Sequence, residues 1–230
     1  SVDSPTAELL ARPDLLRSVF LSNASVGEPG VEPAPRGDPG TGAVALGTTT
    51  DADLVAWWQF DEGGGTVVAD SSKNGHDGVI NGNPVWTTGV YGSALAFDGT
   101  GDYVLCDLLD IDTSVTGGLT VCGWIKRPSG GDTKLCSNRQ AADAAGGGFT
   151  CAIYNERMEM DICGATARTL ARDGGGNTVP TDTWVHVAWV FDDAGNLLSE
   201  YHNCVLSDSD AVTVSVGVSY NKVFAKLGSD

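Results

Sequence analysis

Positive charge is scarce in this sequence. Its 230 residues include 13 Lys and Arg against 30 Asp and Glu, which gives a formal net charge of −17 at pH 7. Because proteins bind nucleic-acid phosphates and anionic lipids through clustered Lys and Arg, the composition excludes both as partners. An acidic surface of this kind attracts Ca²⁺ or suits a salty medium.

Long apolar runs are also missing. The longest, WVHVAWVF at residues 184–191, has the length of a strand, far short of the roughly 20 residues that span a bilayer. Insertion into a membrane is therefore not expected. The first ten residues lack the basic start and apolar stretch of a signal peptide, so we expect that any export signal has already been removed.

Motifs for catalysis and phosphate binding are absent as well. The three histidines, His76, His186 and His202, lie near no recognisable nucleophile motif. The Gly-rich stretches lack the Lys-Ser/Thr ending of a phosphate-binding loop. His186 stands between two valines in a strand pattern, which is typical of a core histidine rather than a general base.

The six cysteines form no C-x-x-C pair, so a zinc site is not indicated. They are either buried free thiols or disulfides formed in an oxidising compartment. Their even number favours disulfides and an extracellular or cell-surface location. We expect Cys136 to pair with Cys151, because the two lie on neighbouring strand-like segments. The disulfide candidates are Cys106, Cys122, Cys136, Cys151, Cys163 and Cys204.

Residues 1–52 differ from the rest of the chain and are interpreted as an N-terminal arm. Residues 4–21 predict one or two short helical turns, residues 27–42 form a Gly/Pro-rich linker, and residues 42–50 contain a possible donor strand. Such an arm is either a floppy tether or packs against a partner. We expect it to bind a neighbouring copy of the chain through Leu9, Leu16, Phe20, Val44 and Leu46.

From residue 53 to residue 230, short strand-like runs follow one another, separated by turns rich in Gly, Asp and Asn. In residues 54–60, for example, the apolar side chains at positions 54, 56, 58 and 60 would share one face. Many β-branched and aromatic runs without helical periodicity predict an all-β fold, an antiparallel β-sandwich.

A series of motifs within this region points to a family. An aromatic-x-Phe-Asp-Glu sequence at 58–62 precedes Asp-Ser-Ser-x-Asn-Gly at 70–75, Ala-Leu-x-Phe-Asp-Gly at 94–99, Asp-Tyr-Val at 102–104 and Trp-x-His-Val-Ala at 184–188. The series resembles the laminin-G-like, concanavalin A-like jelly-roll domains of prokaryotic surface proteins. The resemblance covers roughly residues 53–230 and implies two curved antiparallel sheets packed face to face.

The chain departs from this family at two places. Cys204 stands where a Gly is usual in a tight turn, and the sequence stops at Asp230, before the family's final strand. The resemblance therefore implies that strand 54–60 has an unpaired edge, which proteins normally cover. Either the chain is truncated or repacked there, or a donated strand such as residues 42–46 pairs with this edge.

The same fold hosts glycosidases that carry Glu-x-Asp-x-Glu on one strand, with one Glu as nucleophile and the other as acid/base. Glu159 and Asp161 begin this motif, but Cys163 or Gly164 stands where the second Glu is required. No catalytic residue is assigned, and the chain is interpreted as a non-enzyme. We expect residues 157–163 to form a strand with a polar outer face.

Asp and Asn side chains in the turn motifs are candidate ligands for Ca²⁺, because hard oxygen ligands gathered from turns suit this ion. The alternative is that they are solvated or bind their own backbone. The better candidates are Asp70, Asn74, Asp98 and Asp102, and no other cofactor is indicated. Asn23 begins an Asn-Ala-Ser sequon and is a glycosylation candidate.

Two functions fit these observations. The first is a structural or adhesive subunit that self-assembles into a filament or surface layer through its arm, with other copies of itself as partners. The second is a carbohydrate-binding module of a secreted or cell-surface protein. Trp57, Trp86 and Tyr154 are its candidate sugar platforms, unless these aromatic residues belong to the core.

Overall fold

The computed structural model describes nine stretches of the chain, and every regular element within them is a strand. The described residues are 19–22, 54–111, 118–129, 132–137, 148–163, 168–172, 178–192, 196–211 and 220–227. Among the residues described, no helix is long and apolar enough to cross a membrane.

Sixteen strands are present in these stretches. They are β1 (Val19–Ser22), β2 (Leu54–Trp58), β3 (Val67–Val68), β4 (Gly78–Asn81), β5 (Val85–Thr88), β6 (Ser93–Ala96), β7 (Tyr103–Ile111), β8 (Gly118–Ile125), β9 (Thr133–Ser137), β10 (Gly148–Tyr154), β11 (Arg157–Cys163), β12 (Arg168–Arg172), β13 (Val185–Asp192), β14 (Leu197–His202), β15 (Val205–Ala211) and β16 (Tyr220–Leu227).

The strands form two large sheets and one hairpin. The six-stranded sheet has the order β15-β14-β13-β8-β1-β2, the eight-stranded sheet has the order β12-β11-β10-β9-β16-β7-β4-β3, and β5 pairs with β6. Every described pairing of neighbouring strands is antiparallel. The predicted antiparallel β-sandwich is confirmed.

One apolar core joins residues of both sheets. On β13, Val185, Val187 and Trp189 alternate into it, as period-two side-chain alternation requires. On β11, Met158 and Met160 do the same, as the sequence predicts. Each large side chain that is fully removed from water contributes about 1.5–3 kcal/mol to folding. Because these side chains point into the core, the opposite face of each strand is the one available for a functional site.

The arm contributes a strand to the interior of the six-stranded sheet. β1 pairs with β2 on one side and with β8 on the other, so that the main chain at Phe20 lies opposite both Trp57 and Cys122. The predicted helix at residues 19–21 is therefore wrong, whereas binding of a neighbouring copy through Phe20 stays a prediction. Pairing of the main chain between two strands satisfies its N–H and C=O groups and overrides a weak local helix preference.

The other partner-binding candidates of the arm, Leu9, Leu16, Val44 and Leu46, lie outside the described residues, as does Asn23. The last described strand, β16, lies between β9 and β7 in the eight-stranded sheet. The place between β2 and β8 is thus filled from the N-terminal side of the chain, by residues 19–22 rather than residues 42–46.

The outer edge of β2 is covered by the loop at residues 70–76. Asn74 Nδ2 donates to the carbonyl oxygens of Leu54 and Val55 at 2.7 and 2.9 Å. Asp70 accepts from the main-chain N–H of Trp57 at 2.9 Å, and the carbonyl of Trp57 accepts from the N–H of Ser71 at 2.7 Å. The predicted unpaired edge is therefore wrong, because both sides of β2 are bonded within the chain.

Candidate functional site

The face of β10 and β11 that points away from the core carries the most promising set of polar side chains. Phe149, Cys151 and Ile153 of β10 belong to the core, as do the alternate residues of β11. Alternation then places Thr150, Ala152 and Tyr154 on the opposite face. Arg157, Glu159 and Asp161 of β11 share that face by the same alternation. We call these six residues the β10–β11 face.

The strand register brings these six residues together in pairs. Thr150 lies opposite Asp161, Ala152 opposite Glu159, and Tyr154 opposite Arg157. Side chains directly opposite each other on an antiparallel pair have Cβ atoms about 4.5–5.5 Å apart. The hydroxyl of Thr150 also lies 2.9 Å from that of Ser137 on β9, which extends the polar surface by one strand.

Burial divides this face into a closed floor and an open rim. Ala152, Glu159 and Asp161 are 1%, 5% and 3% exposed, whereas Tyr154 and Arg157 are partly exposed. As predicted, the polar side chains of residues 157–163 lie on the face opposite the core. Unlike the carboxylates of an ordinary outer face, however, those of Glu159 and Asp161 are not exposed to solvent. Because an ionised carboxylate is costly to bury alone, such groups are held by partners. Both have interactions within the chain.

Two carboxylates side by side on one strand invite comparison with the glycosidase motif. Retaining glycosidases need two carboxyl groups about 5–5.5 Å apart, one of them a general acid. On β11 the next residue of the same alternation is Cys163, opposite Gly148, so this strand presents no second Glu at that position.

Asp70, the first candidate Ca²⁺ ligand, is occupied by donors of its own chain. Its carboxylate accepts hydrogen bonds from the main-chain N–H groups of Trp57, Ser72 and His76, and from the Ser72 hydroxyl at 2.7 Å. Burial raises the pKa of Asp70, but these hydrogen bonds outweigh burial, so that its pKa lies below the ordinary value. The Asn74 amide points its nitrogen at β2, as described above.

Asp98 and Asp102 belong to a second hydrogen-bonded turn. Asp102 is fully buried and accepts from the main-chain N–H groups of Asn83 and Asp98 at 2.8 and 3.1 Å. Asp98 accepts from the N–H of Thr100 at 2.7 Å. Within the described stretches, no group of three or more His, Cys, Asp or Glu side chains is placed to hold a metal ion. Calcium binding stays a prediction. The hydrogen bonds from main-chain N–H groups are the alternative role that the sequence suggests for these carboxylates.

The cysteines differ from the disulfide expectation. Cys151 lies directly opposite Cys136, as the sequence suggests, but neither forms a disulfide, and Cys106, Cys122 and Cys204 form none either. Burial in the apolar core raises the pKa of Cys136 to about 12 and also raises that of Cys151. Since thiolates are the form that reacts, such thiols are inert. The side chain of Cys163 lies outside the described residues.

The three candidate sugar platforms have separate environments. Trp57 is 8% exposed and belongs to a small apolar cluster with Cys122 and Ala188, so it offers no platform. Trp86 packs partly against the core and donates from Nε1 to the carbonyl of Gly65 at 3.3 Å. Tyr154 remains, because it lies at the open rim of the β10–β11 face.

The fold is an antiparallel β-sandwich of the concanavalin A-like type. Residues 98–230 match the sequence pattern of the concanavalin A-like lectin/glucanases superfamily, and the chain belongs to this family. No curated protein matches the sequence.

Several solved structures share the fold at low sequence identity. The binding domain of Paraclostridial Mosquitocidal Protein 1 has a TM-score of 0.56 and 11% identity over 71% of this chain and 42% of that chain. The binding domain of botulinum neurotoxin DC, solved with rat synaptotagmin II, has a TM-score of 0.57 and 12% identity over 79% and 45%. The chain thus spans less than half the length of these two proteins.

A third similar structure is shorter. Domain 4 of AbnA, a GH43 extracellular arabinanase from Geobacillus stearothermophilus, was solved in complex with arabinotriose. Its TM-score is 0.51, with 16% identity over 70% of this chain and 77% of that chain. At these identities the likeness establishes a shared fold.

Proposed function

We propose that this chain is a non-catalytic carbohydrate-binding module that works outside the cell or at its surface. The observation that carries the proposal is the β10–β11 face, in which the partly exposed side chains of Tyr154 and Arg157 form a rim beside two buried carboxylates. Glycan sites combine hydrogen-bonding groups for hydroxyls with an aromatic ring for the apolar side of the sugar. The binding of arabinotriose by AbnA domain 4, a protein of the same fold, supports this choice.

The geometry suggests how a sugar would lie. The Tyr154 ring at the rim would pack against the apolar side of one sugar, and hydroxyls of that sugar would bond to the partly exposed guanidinium of Arg157. The buried carboxylates of Glu159 and Asp161 would support this rim from below. Because the chain carries a net charge of −17, acidic glycans would be repelled, so the ligand is a neutral glycan.

Affinity electrophoresis through gels that contain one soluble polysaccharide each would test the proposal. We expect wild-type protein to be retarded by at least one neutral polysaccharide, such as arabinan or a β-glucan, and not by polyuronates. Tyr154→Ala should weaken retardation about tenfold or more. Tyr91→Ala is a matched control, since Tyr91 is a 47% exposed tyrosine on another part of the molecule. Equal migration of wild type and Tyr154→Ala in every retarding gel would contradict the proposed site.

Self-assembly through the arm is the other function that the sequence suggests. In the part of the chain that the structure describes, no observation supports it as the β10–β11 face supports glycan binding. Its strongest argument was an open edge at β2 that a neighbouring copy would fill. In the structure β1 and the loop at residues 70–76 occupy the two sides of β2. Light scattering on the purified chain distinguishes the functions, because a monomer that binds polysaccharide fits only the proposed module.

A further inference from the structure

Arg127, two residues after the end of β8, has a buried charge that no function described so far uses. The residue is 2% exposed, although arginine is almost never fully buried unless it is paired. Its Nε and Nη2 donate to the carbonyl oxygen of Val179 at 3.3 and 3.1 Å. Nη2 lies 3.7 Å from Oε1 of Glu156, and Nη1 is buried without a hydrogen-bond partner in the part of the chain that the structure describes.

These contacts hold the turn that joins β10 to β11. The turn consists of Asn155 and Glu156, whose φ angles of 48° and 68° are those of a tight two-residue hairpin turn. The carbonyl of Glu156 accepts from the N–H of Val179 at 2.7 Å, and the N–H of Asn155 donates to Asp132 at 3.3 Å. Such turns are usually mobile tips, but this one is fixed from outside its own hairpin.

Arg127 also ties the turn to the other sheet. Its main chain continues from β8 of the six-stranded sheet, and its carbonyl accepts from the N–H of Asp182 at 2.8 Å. The hairpin of β10 and β11 belongs to the eight-stranded sheet. A buried, incompletely bonded guanidinium contributes little to stability, because desolvation offsets its interactions. Its placement behind one particular turn therefore suggests a role in positioning.

The turn lies between Tyr154 and Arg157, the two rim residues of the β10–β11 face. We propose that Arg127 is a positioning residue of this face: by holding Val179 and Glu156, it fixes the turn and orients Tyr154 before a glycan arrives. The inference rests on the proposed function for its binding consequence. A side chain ordered in advance loses less entropy on binding, so the affinity of the rim depends on Arg127 without any contact to the ligand.

Two substitutions separate the charge of Arg127 from its shape. Arg127→Lys keeps the charge but loses the planar fork, and Arg127→Met keeps much of the length without charge. Lys126→Met is the matched control, since Lys126 is the neighbouring exposed cation. Native-state hydrogen exchange on residues 153–158 and on β13 would be measured in each variant, together with retardation by a polysaccharide that binds the wild type.

We expect both Arg127 variants to speed exchange in residues 153–158 about tenfold or more while β13 stays unchanged. Glycan affinity should fall about tenfold, and Arg127→Met should cause no further loss when Tyr154→Ala is already present. Lys126→Met should alter neither quantity. Equal acceleration in β13 and in the turn would overturn the inference, because Arg127 would then be only a core residue.

The two proposals fail in different ways. If the wild type binds no glycan, the proposed function fails, whereas local acceleration of exchange in the turn still supports positioning by Arg127. If the wild type binds and the Arg127 variants bind equally well despite a loosened turn, the proposed function stands. The positioning role would then be wrong.

Discussion

The carboxylate of Asp70 accepts a hydrogen bond of 2.9 Å from the main-chain N–H of Trp57, thirteen residues earlier in the chain. This bond stands where a further strand would otherwise pair with β2. One side chain thus replaces part of a β-ladder, and Asn74 completes the replacement from the same loop. Residues that the sequence marks as candidate metal ligands serve here as a cap for a sheet edge.

Replacing Asp70 should therefore destabilise the fold strongly. Asp70→Ala leaves the N–H groups of Trp57, Ser72 and His76 without their acceptor. We expect the free energy of unfolding to fall by about 2–4 kcal/mol, as measured by urea denaturation. Asp98→Ala is the control, because exposed Asp98 accepts one bond within its own turn and should cost about 1 kcal/mol or less. Similar losses in the two variants would contradict the edge-cap role.

Stability should also fall as the pH drops from about 6.5 towards 4, because of His186. Burial lowers the pKa of His186 to about 4 from its model-compound value of 6.5. In this window the unfolded chain binds a proton that the folded chain does not, so acid favours unfolding. The full effect is on the order of 3 kcal/mol and is present above the unfolded pKa.

Substitution of His186 isolates this contribution. His186→Leu should flatten the dependence of the unfolding free energy on pH between 6.5 and 4. Trp124→Phe keeps the histidine and alters only its edge-on ring neighbour, whose centroid lies 5.5 Å away, so it should retain the slope. Urea denaturation at several pH values gives the comparison. An unchanged slope in His186→Leu would assign the acid sensitivity to other groups.

Cys204 occupies a backbone conformation that suits glycine. Its φ of 67° follows the φ of 46° at Asn203, in the tight turn between β14 and β15. Because a Cβ is strained there, Cys204→Gly should raise the free energy of unfolding by about 0.5–1 kcal/mol. Cys204→Ala removes the thiol but keeps the Cβ, and it should give no such gain. Thermal unfolding under reducing conditions would measure both, and equal stability of the two variants would count against strain.

A proline in β1 should damage the six-stranded sheet. Leu21 lies opposite Ala56 on one side and Val121 on the other, in the interior of the six-stranded sheet. Since proline does not donate to a ladder, Leu21→Pro should lower the free energy of unfolding by on the order of 2 kcal/mol.

Urea denaturation of Leu21→Pro distinguishes the two interpretations of the arm. If the arm served only to bind a neighbouring copy, this proline would not alter the stability of an isolated monomer. Light scattering during the same experiment would show whether the variant changes the size of the particle.

Local patterns in the sequence were enough to predict the sandwich and the direction of its side chains. Met158, Met160 and Ile162 alternate within seven residues, so their common face needs no knowledge of distant segments. The same alternation places Glu159 and Asp161 together on the opposite face. Their near-complete burial was not predictable, because it depends on what covers the strand rather than on the strand itself.

The features that escaped prediction depend on contacts between distant positions. β1 follows a helix-like apolar spacing, and its partners β2 and β8 come much later in the chain. Asp70 and Asn74 belong to a recognisable sequence motif, but the main-chain groups of β2 that they bind lie 13 to 20 residues away in the sequence. From the sequence alone, Arg127 would be expected at the surface, because its partner Val179 lies 52 residues further along the chain.

The position of β1 imposes an order of events on folding. Ribosomes release residues 19–22 well before one of the two neighbours of this strand, β8, which begins at Gly118. Until that segment emerges, β1 has at most half of its final bonds. Closure of the six-stranded sheet is therefore a late, long-range step, of the kind that slows β-rich chains and leaves them dependent on chaperones during synthesis.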